Sequence, residues 1–270
     1  MAMDRTPWKA PFTLENLPTW ICPECKKGTL IAEKNAIKII ESENSKKERE
    51  HENWEPEWIR GSFGGTFKCN NPKCSEKVLT IGSMNVEAGY EYNPKTDEAD
   101  PGYYEYLTPT MFAPAIHVFN VHAEVPRNIT RAIIESFKVY WADISACANK
   151  IRNTLELIMD FYKIPKTHAE QGKRKPYSLH RRIELFKSEK KNESEHLMAI
   201  KWIGNSGSHA NDELKSDDIL DAYEILDHVL TRLFEKDSIR VKKLSSTINR
   251  RKKPNSKKIY KKKGGNGLGK

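Results

Sequence analysis

The sequence contains no N-terminal apolar run of the kind that heads a secretory signal, and no stretch near 18 uninterrupted apolar residues. The expectation is a soluble, cytoplasmic protein with no membrane partner. There is no glycine-rich phosphate loop of the Walker type and no nucleophile elbow, which sets aside P-loop and serine-hydrolase chemistry. "FGG" at 63–65 is only a turn. The eight histidines are scattered, and apart from a loose pair, His117 and His122, none stands at a metal-ligand spacing with a second histidine. Cysteine is sparse as well: of five, four form two close pairs and Cys147 is left over.

What the chain has in quantity is charge, and it is unevenly spread. The net charge is +9, yet residues 240–270 hold 13 Lys/Arg and no Asp/Glu. The remainder carries 33 basic against 37 acidic residues, a net of −4. "NRRKKPNSKKIYKKKGGNGLGK" has no helical period, few apolar residues and glycines at its end. Residues 240–270 therefore read as a disordered basic tail. Such a segment attaches to polyanions by counterion release, RNA or DNA being the obvious choices. Its candidate nucleic-acid contacts are Arg250, Arg251, Lys252, Lys253, Lys257, Lys258, Lys261, Lys262 and Lys263. A solubilising tail with no dedicated partner is the alternative.

Three regions precede the tail. Residues 1–75 contain the cysteine pairs and the charged insertion "ESENSKKEREHENWEPEW", a solvated helix or a flexible loop. Residues 76–125 are rich in β-branched and aromatic residues, interrupted by "NPKTDEADPG", and read as an extended β-ribbon. From 126 to 239 the period becomes helical. Pro126 suits a first helical position ahead of Ile129, Ile133, Ile134 and Phe137. A second helix keeps Ile144, Ala148, Ile151, Leu155, Ile158 and Tyr162 in register and stops before Pro165. "SLHRRIELFK" is a third, with Ser178 as N-cap. Leu197, Ile200 and Ile203 mark a fourth, interrupted by "KWIGNSGSHA". A fifth begins at Ser216, where Asp217 and Asp218 favour the helix dipole, and buries Ile219, Ala222, Tyr223, Leu226, Leu230 and Leu233. Four to five antiparallel helices with one apolar stripe each make a bundle. The expected fold class is α+β, mainly α.

"CPEC" supplies Cys22 and Cys25, and "CNNPKC" supplies Cys69 and Cys74. Paired thiolates two to four residues apart, each pair on one knuckle turn, are what a tetrahedral zinc requires. Four sulfurs leave no position for water, so the expected ion is a structural zinc in a zinc ribbon. Two disulfides are the alternative, disfavoured without a secretory signal. The 43 residues between the halves are more than usual. Cys147, on a buried helix face, reads as a small hydrophobe.

"TWICPEC" is followed by "VPRNITRAIIESFKVYW", then "ACANKIRNTLELI", then "IGNSGSHA". In that order the segments resemble the prokaryotic domain-of-unknown-function family 4145 over roughly residues 15–235. That family is similar to the HEPN helical bundles (higher eukaryotes and prokaryotes nucleotide-binding). The most specific elements are "RNTLE" at Arg152–Glu156 and the break at Gly204, Asn205 and His209. The resemblance implies a HEPN-like bundle, commonly dimeric. It also implies, as in many such proteins, metal-independent RNA cleavage in toxin and phage-defence systems, with the ribose 2′-OH as nucleophile. His209 would move the proton, a guanidinium would grip the scissile phosphate, and Asn205 would orient either one. The usual arginine, four to six positions before the histidine, is missing. The nearest basic residue upstream is Lys201, a point charge instead of a fork. Arg152, from a neighbouring helix, is the candidate replacement.

The break itself reads in two ways. The helix stops so that His209 is presented at a mouth, or Gly204 ends the helix, Asn205 caps it and His209 satisfies exposed backbone groups. The expected function is that of an RNA-directed protein of a prokaryotic defence or toxin-like system, a metal-independent endoribonuclease with His209, Asn205, Lys201 and Arg152 as its set. The alternative is a noncatalytic dimerising adaptor, with a protein partner on the ribbon and a degenerate site at Lys201.

Overall fold

Apolar residues alternate along "RGSFGGTFKC": Phe63, Phe67 and Cys69 are buried and the residues between them are not. This is the period of a strand with one face on a core. A computed structural model, which describes residues 3–93, 97–206, 214–234 and 236–252, places this segment in a four-stranded antiparallel sheet. The strands are β1 (Leu30–Glu41), β2 (Arg60–Cys69), β3 (Lys77–Asn93) and β4 (Glu98–Ala113), in the order β1-β2-β3-β4. Phe67 stands opposite Val78, and Leu79 opposite Ala113. β1 is bulged between Ala32 and Ile37, where Asn35 takes a φ of 63°. The charged insertion contains a short helix, α1 (Glu43–Glu48), capped by the Ser42 hydroxyl, which accepts from the Ser45 N–H. The division drawn at residue 75 does not divide the fold, because β1 and β2 come from one side of it and β3 and β4 from the other.

The helical half follows the expected periods closely. It consists of α2 (Arg127–Val139), α3 (Ile144–Phe161), α4 (Leu179–Phe186), α5 (Lys191–Ser206) and α6 (Ser216–Phe234). Pro126 is the N-cap of α2, one position earlier than expected. Asp143 caps α3 by accepting from Ala146 N–H at 2.8 Å, and Ser178 caps α4. Ile129, Ile133 and Phe137 are buried, as are Ala148, Ile151, Leu155 and Ile158, and Ile219, Tyr223, Leu226 and Leu230. α5 packs against α3, α4 and α6. A polar hairpin, β5 (Thr167–Glu170) and β6 (Lys173–Pro176), intervenes between α3 and α4 and turns on Gln171 and Gly172, both with positive φ.

One buried charge ties these helices. Arg182, 3% exposed, donates to Glu156, to Asp160 at 2.7 Å and to the Ile164 carbonyl at 3.0 Å. It binds α4 to α3, and its removal would take from Glu156 its cation while Asp160 kept only Lys166, at 2.7 Å.

Sheet and bundle share one contiguous core. At its centre Trp20 is 1% exposed, with Phe12, Phe67 and Phe112 at ring separations of 5.2, 5.4 and 5.0 Å, and Trp141 at 6.4 Å. Its indole N–H donates to the Pro7 carbonyl at 2.7 Å. Trp8 adds contacts to Tyr140 and Trp141.

The basic stretch from residue 240 departs from expectation. It is helical as far as Arg251, in α7 (Lys236–Arg251). Val241, Leu244 and Ile248 recur at a spacing of three and four, and proline is absent until Pro254, so nothing local breaks the helix. Arg250, Arg251 and Lys252 are exposed. Lys253, Lys257, Lys258, Lys261, Lys262 and Lys263 lie outside the described residues. Among the described residues no helix is long and apolar enough to cross a membrane.

Replacing Trp20 by Ala should cost about 3–5 kcal/mol in urea unfolding, the range for truncating a large buried aromatic. A loss below about 1 kcal/mol would show that the ring is not the joint between the two halves.

Candidate metal centre and cationic site

The two cysteine pairs sit on matching turns. In each, the residue after the second cysteine takes a positive φ, 56° at Lys26 and 53° at Ser75. This bends backbone N–H groups toward sulfur. Gly28 N–H donates to Cys25 Sγ at 3.4 Å, Asn71 N–H to Cys69 Sγ at 3.4 Å, and the Asn71 side chain to Cys25 Sγ at 3.6 Å. Gly28 admits no side chain, because a Cβ there would lie 2.5 Å from Cys69 Sγ. The long separation between the pairs is bridged by the β1–β2 ladder, in which Leu30 stands opposite Cys69.

Cys22 and Cys74 have their sulfurs 3.9 Å apart, Cys25 and Cys69 3.6 Å, and all four lie within 4.8 Å of one another. Sulfurs ~2.3 Å from a tetrahedral ion are ~3.8 Å from each other. Disulfide sulfurs lie ~2.05 Å apart. The spacing is that of metal ligands, and all five cysteines are free. Backbone N–H groups of Gly28 and Lys27 hold the Cys25 thiol down to about 6, while burial pushes Cys69 up to about 12. The cluster can hold a metal ion through four thiolates.

The second site lies where α3 meets the end of α5. Gly204 is buried against α3, and a Cβ there would lie 3.3 Å from Arg152 Cβ and 3.5 Å from the Ala148 carbonyl. α5 does not stop at this glycine, as expected, but continues through Asn205 to Ser206. The glycine allows close helix approach instead of ending the helix. His209 lies outside the described residues.

Lys201 is 7% exposed, with its Nζ 3.4 Å from the centroid of the Trp202 ring. Burial first, and the Arg152 charge second, lower its pKa. Arg152 is half-buried. Its natural partner one turn along α3 would be Glu156, which is taken by Arg182. Among the described residues no carboxylate pairs with Arg152 or Lys201. Two neighbouring cations with no described carboxylate beside them favour an anion such as a phosphate. The structure thus brings Arg152, Lys201 and Gly204 together, with Asn205 next along the same last turn of α5.

Sequence reasoning missed a third group. His196 on α5 and His228 on α6 meet beside a cleft that His122 also approaches. Nothing in the linear spacing signals this, because each residue comes from a different element.

Residues 134–262 match the family model of a domain of unknown function (DUF4145). This DUF4145 stretch contains α3 to α6, and so includes Arg152, Lys201, Gly204 and Asn205. Residues 10–112 match a different model, also a domain of unknown function (DUF8608), which contains all four clustered cysteines. The resemblance drawn from residue 15 onward is therefore narrower than expected, and the DUF4145 match begins within α2. No curated protein and no solved structure matches the chain.

Metal analysis of the purified protein should find roughly one ion per chain at the cysteines, and chelation or Cys22→Ser should disorder the sheet while sparing much of the helical circular dichroism. A metal-free protein with an unchanged aromatic spectrum would contradict this. Gly204→Leu should lose about 1–3 kcal/mol in thermal or urea unfolding through forced separation of α3 and α5.

Proposed function

We propose that this chain is an RNA-directed protein of a prokaryotic defence or toxin-like system, a cytoplasmic dimer of HEPN-like bundles that cleaves RNA without a catalytic metal. The observation that carries this reading is the pair of neighbouring cations, Arg152 on α3 and Lys201 on α5, which have no carboxylate partner among the described residues. Arg152 offers a planar fork for two phosphate oxygens, and Lys201 adds a point charge. His209, a few residues beyond α5, takes the proton from the ribose 2′-OH. That oxygen then attacks the adjacent phosphorus, the bond to the 5′ oxygen breaks, and the leaving oxygen gains a proton. The products are a 2′,3′-cyclic phosphate and a 5′-hydroxyl. Asn205 orients the histidine or the phosphate.

In this reading the four cysteines hold zinc in a zinc ribbon. A closed set of four thiolates has no position for substrate, so the ion is structural. Arg250, Arg251, Lys252 and the lysines after them raise the local concentration of RNA by counterion release.

A second reading rests on the burial of Lys201 under the Trp202 ring. An ammonium so enclosed suits a degenerate site, and the chain would then be a noncatalytic adaptor whose bundle dimerises and whose ribbon engages a protein.

Structured RNA incubated with the protein in EDTA distinguishes the two. Cleavage should fall by about 10²–10⁴ in His209→Ala, the range for loss of a general base. It should fall by about 10² or more in Arg152→Ala. Salt-sensitive binding without cleavage, lost on deletion of residues 240–270, would refute the nuclease and support the adaptor.

A further inference from the structure

A cleft of about 620 Å³ is lined by His196, His228, Glu224, Asp227 and Thr231. Among the described residues no lysine or arginine lines it. His196 and His228 face each other across the contact of α5 with α6, with ring centroids 5.3 Å apart and planes at 89°. No hydrogen bond joins either ring to another described residue. His122 approaches from the segment before α2, and its Nε2 lies 2.8 Å from Thr231 Oγ1 and 4.0 Å from an Asp227 oxygen. The cleft is separate from the cationic site, since His196 precedes Lys201 by five residues and so lies ~140° around α5.

Two imidazoles bound to one tetrahedral ion, with metal–nitrogen bonds of ~2.0–2.1 Å, have ring centres ~5 Å apart. The observed separation meets that requirement. Glu224 stands one turn before His228 on the same face of α6. One of its oxygens accepts from Arg5 at 3.0 Å, and the other has no partner among the described residues. Among the described residues, only the four cysteines already bring three or more ligand atoms within 4.8 Å. The two imidazoles alone stand at the spacing of ligands, and Glu224 would have to move to join them. Two histidines and one carboxylate suit a divalent transition metal and leave coordination positions open.

We propose that His196, His228 and Glu224 form a second metal site, for a divalent transition ion such as Zn²⁺, Co²⁺ or Ni²⁺, with its open positions facing the cleft. The site is independent of the ribonuclease reading.

The test uses the full, untagged chain with its cysteine site filled with zinc, titrated with Co²⁺. A second ion per chain should bind, with visible d–d absorption and no near-ultraviolet thiolate-to-cobalt band. His196→Ala and His228→Ala should each weaken it by about 10- to 100-fold, no less than the loss of an outer-shell partner. Both should retain the first zinc and the wild-type circular dichroism. His122→Ala should change the affinity by less than about 2-fold, as it is not a ligand. The proposal is overturned if binding stops at one ion, if new absorption carries the thiolate band, or if the second ion survives the double variant His196→Ala/His228→Ala.

Discussion

The Trp20 ring occupies the one place where the cysteine turn, the sheet and the first helix of the bundle all meet. It lies two residues before Cys22, its carbonyl accepts from Leu30 N–H at the start of β1, and its ring faces Phe112 of β4 and Trp141 just beyond α2. A large aromatic body supplies burial to three elements together, and its only polar atom is satisfied by the Pro7 carbonyl, so the burial carries no unpaired donor. The sulfur cluster depends on this ring for its base. Without that base the Cys22 and Cys25 turn would be held to the sheet by a few backbone hydrogen bonds and by the Asn71 side chain on Cys25.

The treatment of charge on α3 explains the second site. Arg182 collects Glu156, Asp160 and a carbonyl through its two terminal nitrogens, and so fixes α4. By doing so it removes from Arg152 the glutamate that its own helix would otherwise supply one turn away. The consequence is a cation with room for an external anion, beside a second cation on α5. Gly204 permits the approach, since any side chain there would press on Arg152 and Ala148. A structural salt bridge and a candidate ligand site are thus two outcomes of one allocation of carboxylates.

Several elements were legible in the residues, and for local reasons. The helix faces follow a period of 3.6, Ser178 carries a cap hydroxyl, and the acidic start of α6 matches its dipole. The cysteine ligand set was legible from spacing within each pair. β1 was not, because "EKNAIKIIE" is charged and bulged at Asn35. Nor were β5 and β6, whose short polar strands show no alternation. α7 was obscured by composition, since its lysines and arginines outweighed the spacing of Val241, Leu244 and Ile248. Gly204 was read as a stop because a lone glycine near a helix end has two uses, and only the facing helix distinguishes them.

The sequence by itself determined the buried faces of the helices and the four sulfurs of the candidate metal centre, because both depend on residues within a turn or two of each other. Only the tertiary structure decided which cations keep a carboxylate, that one hairpin closes a gap of 43 residues between the cysteine pairs, and that His196 meets His228. Those outcomes depend on how close separate elements approach and on which side chain claims a shared partner. Neither quantity is written in the periodicity of a single segment.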